Sequence, residues 1–402
     1  MGQTAGVTVI VWIAVGSLAA WLWLLLGQGF FWRTDVRLPP GEEPPPDGWP
    51  DVCVVVPARD EAAVLGESLP SLLAQDYPGR AEVFLIDDGS TDGTGELARA
   101  LGRRGAGPAL TVASPGEPPA GWTGKLWAVR HGIALARARN PEYLLLTDAD
   151  IAHAPDSLRR LVAAARGGGF DVVSQMARLR VETPWERLVV PAFVYFFAQL
   201  YPFRRIGRRG GRTAAAAGGC VLLRAEAAAR ARIPDAIRHA VIDDVALARA
   251  VKGGGGHIWL GLADRVDSVR PYPRLGDLWR MVARSAYAQL RHNPLLLAGT
   301  VAGLALVYLA PPVALAAGLA DLAAGGASAA LVGGAAWLVM AATYVPMLRY
   351  YRQPLWLAPL LPFTAFLYLL MTVDSAVLHY RGRGAAWKGR TYARPDALPE
   401  EG

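Results

Sequence analysis

The chain has 402 residues, 53% of them hydrophobic and 19% charged. That is too apolar for an ordinary soluble enzyme and too charged through its middle for membrane helices alone. The formal charge is +7; with no basic stripe interleaved with aromatics it points to anionic lipid headgroups and excludes nucleic acid as a partner.

Val7–Leu26 is an unbroken apolar run, matching the ~20 residues that a span needs. Trp21, Trp23 and Trp32 suit an interfacial belt. No basic n-region precedes the run and no cleavage site follows it, so it is read as an anchor rather than a signal peptide. Arg33 and Arg37 follow it, which places Met1 outside and Arg33 in the cytoplasm. Residues 33–50 form a linker whose Pro39–Pro50 part is Pro-rich and extended. Strands are then expected at Asp51–Val56, Ala81–Ile86 and Tyr143–Leu146, with helices at Glu61–Gln75, Thr94–Gly102 and Lys125–Ala138. This alternation predicts an α/β domain with a mostly parallel sheet, which binds ligands at the carboxyl ends of its strands.

Trp185–Phe203, interrupted by Pro191, reads as an in-plane interfacial helix. The arginines 204, 205, 208, 209 and 212 that follow suit lipid phosphate or a solvated loop equally well. Leu295–Ala320 and Ala329–Leu348 are each long enough to span, while Leu355–Leu378 carries Pro359 and Pro362 and reads as a bent, re-entrant or surface segment. The tail is basic and belongs in the cytoplasm, so an even number of crossings is expected after Pro294. The expected division is an anchor over 1–32, the linker over 33–50, a catalytic domain over 51–290, membrane helices over 291–380 and a basic cytoplasmic tail over 381–402. Ala-rich stretches read as helix filler and Gly253–Gly256 as a flexible turn. Cys53 and Cys220 read as free thiols of a reducing compartment. His131, His153, His239 and His257 lack metal-ligand spacing and read as structural or surface residues.

Four acidic motifs carry the chemistry. Pro57-Ala-Arg59-Asp60-Glu61 and Asp87-Asp88-Gly89-Ser90 each follow a strand; carboxylates there can accept from a base N–H or a ribose hydroxyl, although Asp, Gly and Ser also favour plain turns. Asp148-Ala-Asp150 follows the strand Tyr143–Leu146, and two carboxylates one residue apart can share Mg²⁺ or Mn²⁺ bridged to a diphosphate. Asp243-Asp244 opens an apolar helix, either as N-terminal charge or as a general base for an acceptor hydroxyl. Lys125 after Gly121-Trp-Thr-Gly124, and Arg284, can pair with the departing diphosphate or stand as surface cations.

The order of these motifs resembles the family-2 glycosyltransferases of GT-A fold over roughly Val52 to Leu290. The family's Gln-x-x-Arg-Trp survives only as Arg284, which favours single-sugar transfer over processive synthesis. Gly121-Trp-Thr-Gly-Lys-Leu-Trp127, Thr147-Asp-Ala-Asp-Ile-Ala-His153 and Trp387-Lys-Gly389-Arg390-Thr-Tyr392 are similar to motifs of hopene-associated glycosyltransferases. The tail also resembles those of carotenoid and ceramide glycosyltransferases.

The resemblance implies an inverting, multi-pass inner-membrane enzyme with a cytoplasmic catalytic domain. It moves a sugar from a nucleotide-sugar, with uridine as the nucleoside, to a membrane lipid, with a hopanoid as acceptor and hopanoid-pathway enzymes as partners. Asp150, with Asp148, then holds the metal. Pro57, Arg59, Glu61, Asp87, Asp88, Lys125, Asp148 and Arg284 bind the nucleotide-sugar. Asp244, beside Asp243, is the base, and the tail folds back towards the site. The rival acceptors are polyprenyl phosphate, carotenoid, ceramide and diacylglycerol. The rival of another class is a non-catalytic scaffold of lipid synthesis.

Overall fold

The computed structural model describes residues 2–38, 48–104, 107–382, 386–387 and 390–391; residues 39–47 of the linker, and Gly389 and Tyr392 of the tail motif, lie outside the described residues. Contacts divide the chain into a sheet unit, Asp35–Arg180 with Arg205–Pro271, and a helical unit, Met1–Thr34, Val181–Arg204 and Tyr272–Gly384.

The sheet has eight strands: β1 (Val52–Ala58), β2 (Ala81–Asp87), β3 (Ala109–Ala113), β4 (Tyr143–Thr147), β5 (Ile151–His153), β6 (Val172–Arg178), β7 (Cys220–Arg224) and β8 (Ile258–Ser268). Their order is β3-β2-β1-β4-β7-β6-β8-β5. β1 pairs in parallel with β2 and β4, β2 with β3, and β6 with β8. β7 runs antiparallel to β4 and β6, and β5 antiparallel to β8. The sheet is therefore mixed and mostly parallel, as the alternation of elements predicts.

All of β1 (Val-Cys-Val-Val-Val-Pro-Ala) is buried, as expected of a central strand covered on both faces. The helix Gly124–Arg137 crosses it so closely that a Cβ on Gly132 would stand 2.4 Å from Val55 Cγ1. Gly132→Ala should therefore destabilise the protein by about 1–3 kcal/mol, read as a lower melting temperature in detergent; an unchanged value would mean that the helix retreats at no cost.

This topology gathers the motifs on one edge. Ala58 lies opposite Asp87, so the segments leaving β1 and β2 run side by side. β4, on the other flank of β1, ends at Thr147, and antiparallel β7 begins there with Cys220 opposite Thr147. The strand order reverses at β1, the place where such sheets open a crevice. Ala214–Ala217, expected as helix filler, is a buried extended run leading to β7. Its backbone is satisfied by Ser174 Oγ, which accepts from Ala217 N at 2.8 Å; small side chains let the chain pass through the interior.

Among the described residues of the helical unit four stretches are long and apolar enough to cross a membrane: Thr8–Leu26, Pro294–Ala320, Ala327–Tyr350 and Leu355–Tyr380. A π turn at Ala305–Leu309 bends the second. Its Val307 carbonyl accepts from Trp21 Nε1 at 2.7 Å, the kind of cross-helix satisfaction that an apolar surrounding demands. Pro359 and Pro362 do not break the last stretch. Pro359 sits in a 3₁₀ turn, Leu355–Leu360, and Pro362 in the first turn of the helix Leu361–Tyr380, where a missing N–H costs nothing.

The helix Pro184–Leu200 runs through Pro191 and opens on a Thr183–Glu186 capping box. Its fully buried Tyr195 bonds Thr343 Oγ1 at 2.7 Å, and its Val189 carbonyl accepts from Tyr368 at 3.1 Å. Neighbouring helices cover the apolar surface for which the sequence predicts a lipid interface. His292, just before Pro294, stacks on His379 with ring centroids 4.1 Å apart. The Tyr287 and Tyr380 hydroxyls meet at 2.9 Å, and Trp337 Nε1 donates to the Pro359 carbonyl at 3.0 Å. The run from Pro294 to Tyr380 thus ends beside its own beginning.

Candidate active site

The chain leaves β1 and turns at Asp60, whose φ is +50°. Hydrogen bonds stitch this turn to the loop after β2. Asp60 N donates to Ser90 Oγ at 3.0 Å and Thr91 N to Asp60 Oδ1 at 2.8 Å. Glu61 N donates to Thr94 Oγ1 at 2.8 Å and Ala62 N to Asp92 Oδ2 at 2.9 Å. Much of the polarity in these two motifs therefore builds the crevice wall. Asp88 is 1% exposed, and Arg59 donates to its carbonyl and lies 3.5 Å from its Oδ2. Asp87 is half-buried, its Oδ1 accepting from Ser90 N at 3.0 Å. Of the two acids, Asp87 is the one a ligand reaches.

Beside this wall, Lys125 joins two acidic motifs. Thr123 caps the helix Gly124–Arg137, which fixes the Lys125 backbone. The ammonium lies 2.8 Å from Asp148 Oδ1 and 3.1 Å from Asp243 Oδ2. Burial works against its charge, but Asp148 and Asp243 outweigh burial and hold its pKa above the usual lysine value. Asp244 receives Gly218 N at 2.9 Å on one oxygen and Val245 N at 2.7 Å on the other. Burial, helped by the neighbouring Asp243, pushes the Asp244 carboxyl up to about 6 against the opposing pull of Lys125 and the two amides. Burial also raises Asp148, opposed by Lys125. Pro57, Lys125, Asp148, Gly218, Asp243 and Asp244 line one cleft of about 420 Å³.

Asp150 faces a different cation. Arg270, two residues beyond β8, places Nε 2.7 Å from Asp150 Oδ2 and Nη2 2.5 Å from Glu61 Oε2. Beneath the turn, Thr147 Oγ1 donates to the Gly219 carbonyl at 2.7 Å and meets His153 Nε2 at 3.0 Å. Burial lowers His153 to about 4, so it is a neutral structural residue, as its lack of metal spacing predicts.

The donor set suits a hard divalent ion. Lys125 and Arg270 face the carboxylates of Asp148, Asp243, Asp150 and Glu61, so negative charge is in excess before any phosphate arrives. Among the described residues no group of three His, Cys, Asp or Glu is arranged to hold an ion by itself. Asp148 and Asp150 offer oxygens only, and Mg²⁺ is commonly held by one or two carboxylates completed by substrate phosphates and water. The residues present therefore fit an ion that arrives with a diphosphate.

The chain is similar to known proteins over part of its length. Residues 53–231 match the family described as Glycosyl transferase family 2. The matched segment runs from β1 through β7 and contains Lys125 and the first three acidic motifs. The beta-monoglucosyldiacylglycerol synthase of Synechocystis is 30% identical over 178 residues, 40% of this chain and 35% of that protein. The undecaprenyl-phosphate 4-deoxy-4-formamido-L-arabinose transferase of Pseudomonas savastanoi is 29% identical over 142 residues, 34% of this chain and 38% of that protein. The chain thus spans little over a third of these relatives. The mannosyltransferase PcManGT of Pyrobaculum calidifontis, solved with GDP-Man and Mn²⁺, superposes with a TM-score of 0.53 at 19% identity, covering 90% of this chain and 99% of that one. The family-2 segment and this superposition establish the GT-A fold.

Arg284 stands exposed on the helix Leu275–Gln289 of the helical unit. In the tail, Trp387 and Arg390 pair across a short antiparallel ladder that groups with the sheet unit. Sequence reasoning missed Arg270 and the Gly218 amide. The first is a lone arginine with no motif around it. The second had a signal in Gly218-Gly219 before the apolar Cys220–Leu223, which marks a strand entry.

Proposed function

We propose that this chain is a membrane-bound inverting glycosyltransferase that moves one sugar from a nucleotide-sugar to a lipid acceptor. The observation that carries this reading is the cleft in which Lys125 draws Asp148 and Asp243 together beside Asp244. Asp148 of this cleft, with Asp150, would hold Mg²⁺ or Mn²⁺, and the ion would supply Lewis-acid stabilisation of the leaving diphosphate. Asp87 and the Pro57–Glu61 turn bind the nucleoside, with Arg59 and Asp88 fixing the wall. Lys125 adds positive charge at the diphosphate, and Arg284 is assigned the same role by the family resemblance alone. Asp244 accepts the proton of the acceptor hydroxyl, with Asp243 keeping Lys125 in place. Trp387 and Arg390 of the tail motif are assigned near the site by the same resemblance.

The lipid class is supported by the relatives, whose names specify a diacylglycerol product and an undecaprenyl-phosphate acceptor. Within that class a hopanoid acceptor, a UDP donor and hopanoid-pathway partners are the finer reading, resting on the Gly121–Trp127 and Trp387–Tyr392 motifs. The domain limits at 32, 50, 290 and 380 belong to the same reading. A polyprenyl-phosphate acceptor needs no base, so the raised Asp244 carboxyl favours an alcohol.

An even number of crossings after Pro294 is supported by a contact within the helical unit. Three complete crossings between His292 and His379 would separate them by about 30 Å, yet their rings stack at 4.1 Å. Two crossings with a re-entrant turn at Leu355–Leu360 fit that contact, and an inner membrane with the catalytic domain on its cytoplasmic side is the finer reading. The backbone of the arginine loop is pinned by Lys252 Nζ, which donates to the Ile206 and Thr213 carbonyls at 2.7 and 2.8 Å, while Arg208, Arg209 and Arg212 are exposed to lipid phosphate or solvent. NMR of the product tests the transfer. An α-linked donor should give a β-linked glycolipid; an α-linked product would exclude the single displacement.

A further inference from the structure

Arg270 joins the Asp-x-Asp turn to the turn after β1, and no sequence motif contains it. Its position is set by the sheet. Ile151 pairs with Ser268 in the β5–β8 ladder, and Val269 N donates to the Asp150 carbonyl at 2.9 Å. Those backbone bonds fix the distance between the Asp150 and Arg270 main chains, and the guanidinium then spans from Asp150 Oδ2 at 2.7 Å to Glu61 Oε2 at 2.5 Å. Glu61 is 7% exposed, and a carboxylate so buried needs a charged partner. Its own amide is tied to Thr94 of the loop after β2.

We propose that Arg270 is a positioning residue: it orients the Asp150 carboxylate for a divalent cation and couples that cation to the nucleoside wall through Glu61. The inference rests on the metal reading of Asp148 and Asp150. The planar fork holds two carboxylates in one geometry, whereas a lysine ammonium holds each less strictly. Arg270 engages one Asp150 oxygen, Oδ2, and so restricts the orientation of the carboxylate. Hydrogen-bonded partners of metal-ligating carboxylates commonly govern metal affinity about 10–100-fold.

Electron paramagnetic resonance of Mn²⁺ titrated into the purified full chain, with and without UDP or GDP, tests this without measuring transfer. Wild-type protein should bind Mn²⁺ more tightly when nucleotide is present, and Asp150→Ala should not bind it. Arg270→Ala should weaken Mn²⁺ binding about 10–100-fold and lose the mutual enhancement by nucleotide. Arg270→Lys should recover part of the affinity, and Glu61→Gln should lose the enhancement more than the affinity. Both keep the test in hand if Arg270→Ala fails to fold. Equal or tighter Mn²⁺ binding in the Arg270 variants, with wild-type protein binding normally, would overturn the inference and make Arg270 a competitor of the cation. Wild-type protein that binds no Mn²⁺ would overturn the metal reading itself, and this inference with it.

Discussion

Asp244→Asn should lower sugar transfer about 10²–10⁴-fold, the range of a general base, while donor binding stays near the wild-type level. The carboxyl is raised to about 6 by burial and by Asp243. It is therefore charged above that pH and able to accept a proton from an alcohol. With a single deprotonation controlling the rate, transfer should climb about tenfold per pH unit as the pH rises towards 6, then level off. The variant should lose that acid limb. The substitution is not free of structural cost. Both carboxylate oxygens accept backbone amides, from Gly218 and Val245, and an asparagine has one carbonyl oxygen for two donors. A stability loss of about 1–3 kcal/mol is expected, so the melting temperature is measured alongside. Isothermal titration with the donor separates the roles: retained binding with lost transfer supports the base, and lost binding makes Asp244 a ligand or a structural residue. Retained transfer would favour a phosphate acceptor.

Lys125→Met has the second large effect. The ammonium stands 2.8 and 3.1 Å from Asp148 and Asp243. Breaking a fully buried ion pair costs about 3–5 kcal/mol; the Lys125 side chain is 21% exposed, so a loss of about 2–3 kcal/mol is expected after discounting for solvent screening. Transfer should fall about 10²–10³-fold, as when one electrostatic stabiliser of a transition state is removed. Arg at this position keeps the charge and should restore stability more than activity. Thermal unfolding and steady-state kinetics read the two effects separately. A Met variant with normal stability and activity would mean that solvent and counter-ions serve the carboxylates as well as Lys125 does.

These contacts show what a sequence can and cannot carry. The acidic motifs are legible because each is local: three lie just beyond an apolar strand, where the chain must turn, and Asp243-Asp244 opens a helix. The anchor and later apolar helices are legible for the same reason, since length and composition decide them. What holds the carboxylates is not local. Arg270 meets Glu61 across 209 positions, and only the β5–β8 ladder brings it there. The antiparallel half of the sheet was equally hidden, because β7 pairs with β4 and β6 across long connections and is preceded by Ala214–Ala217, whose composition reads as helix. The Asp87-Asp88 pair shows a finer limit. Both acids have the same local setting, yet register buries Asp88 against Arg59 and leaves Asp87 at the crevice. Pro359 and Pro362 look like breaks in sequence, and helix geometry makes them the beginning of one.

The central claim is transfer to a lipid, and chromatography of labelled product tests it most directly. Purified protein in detergent is given Mn²⁺ or Mg²⁺, labelled UDP- and GDP-sugars, and hopanoid, carotenoid, diacylglycerol, ceramide and polyprenyl-phosphate acceptors in turn. The account predicts a labelled lipid from at least one pairing, abolished by EDTA and by Asp150→Ala. No labelled lipid and no hydrolysis of any donor would contradict it and favour a non-catalytic role in lipid synthesis.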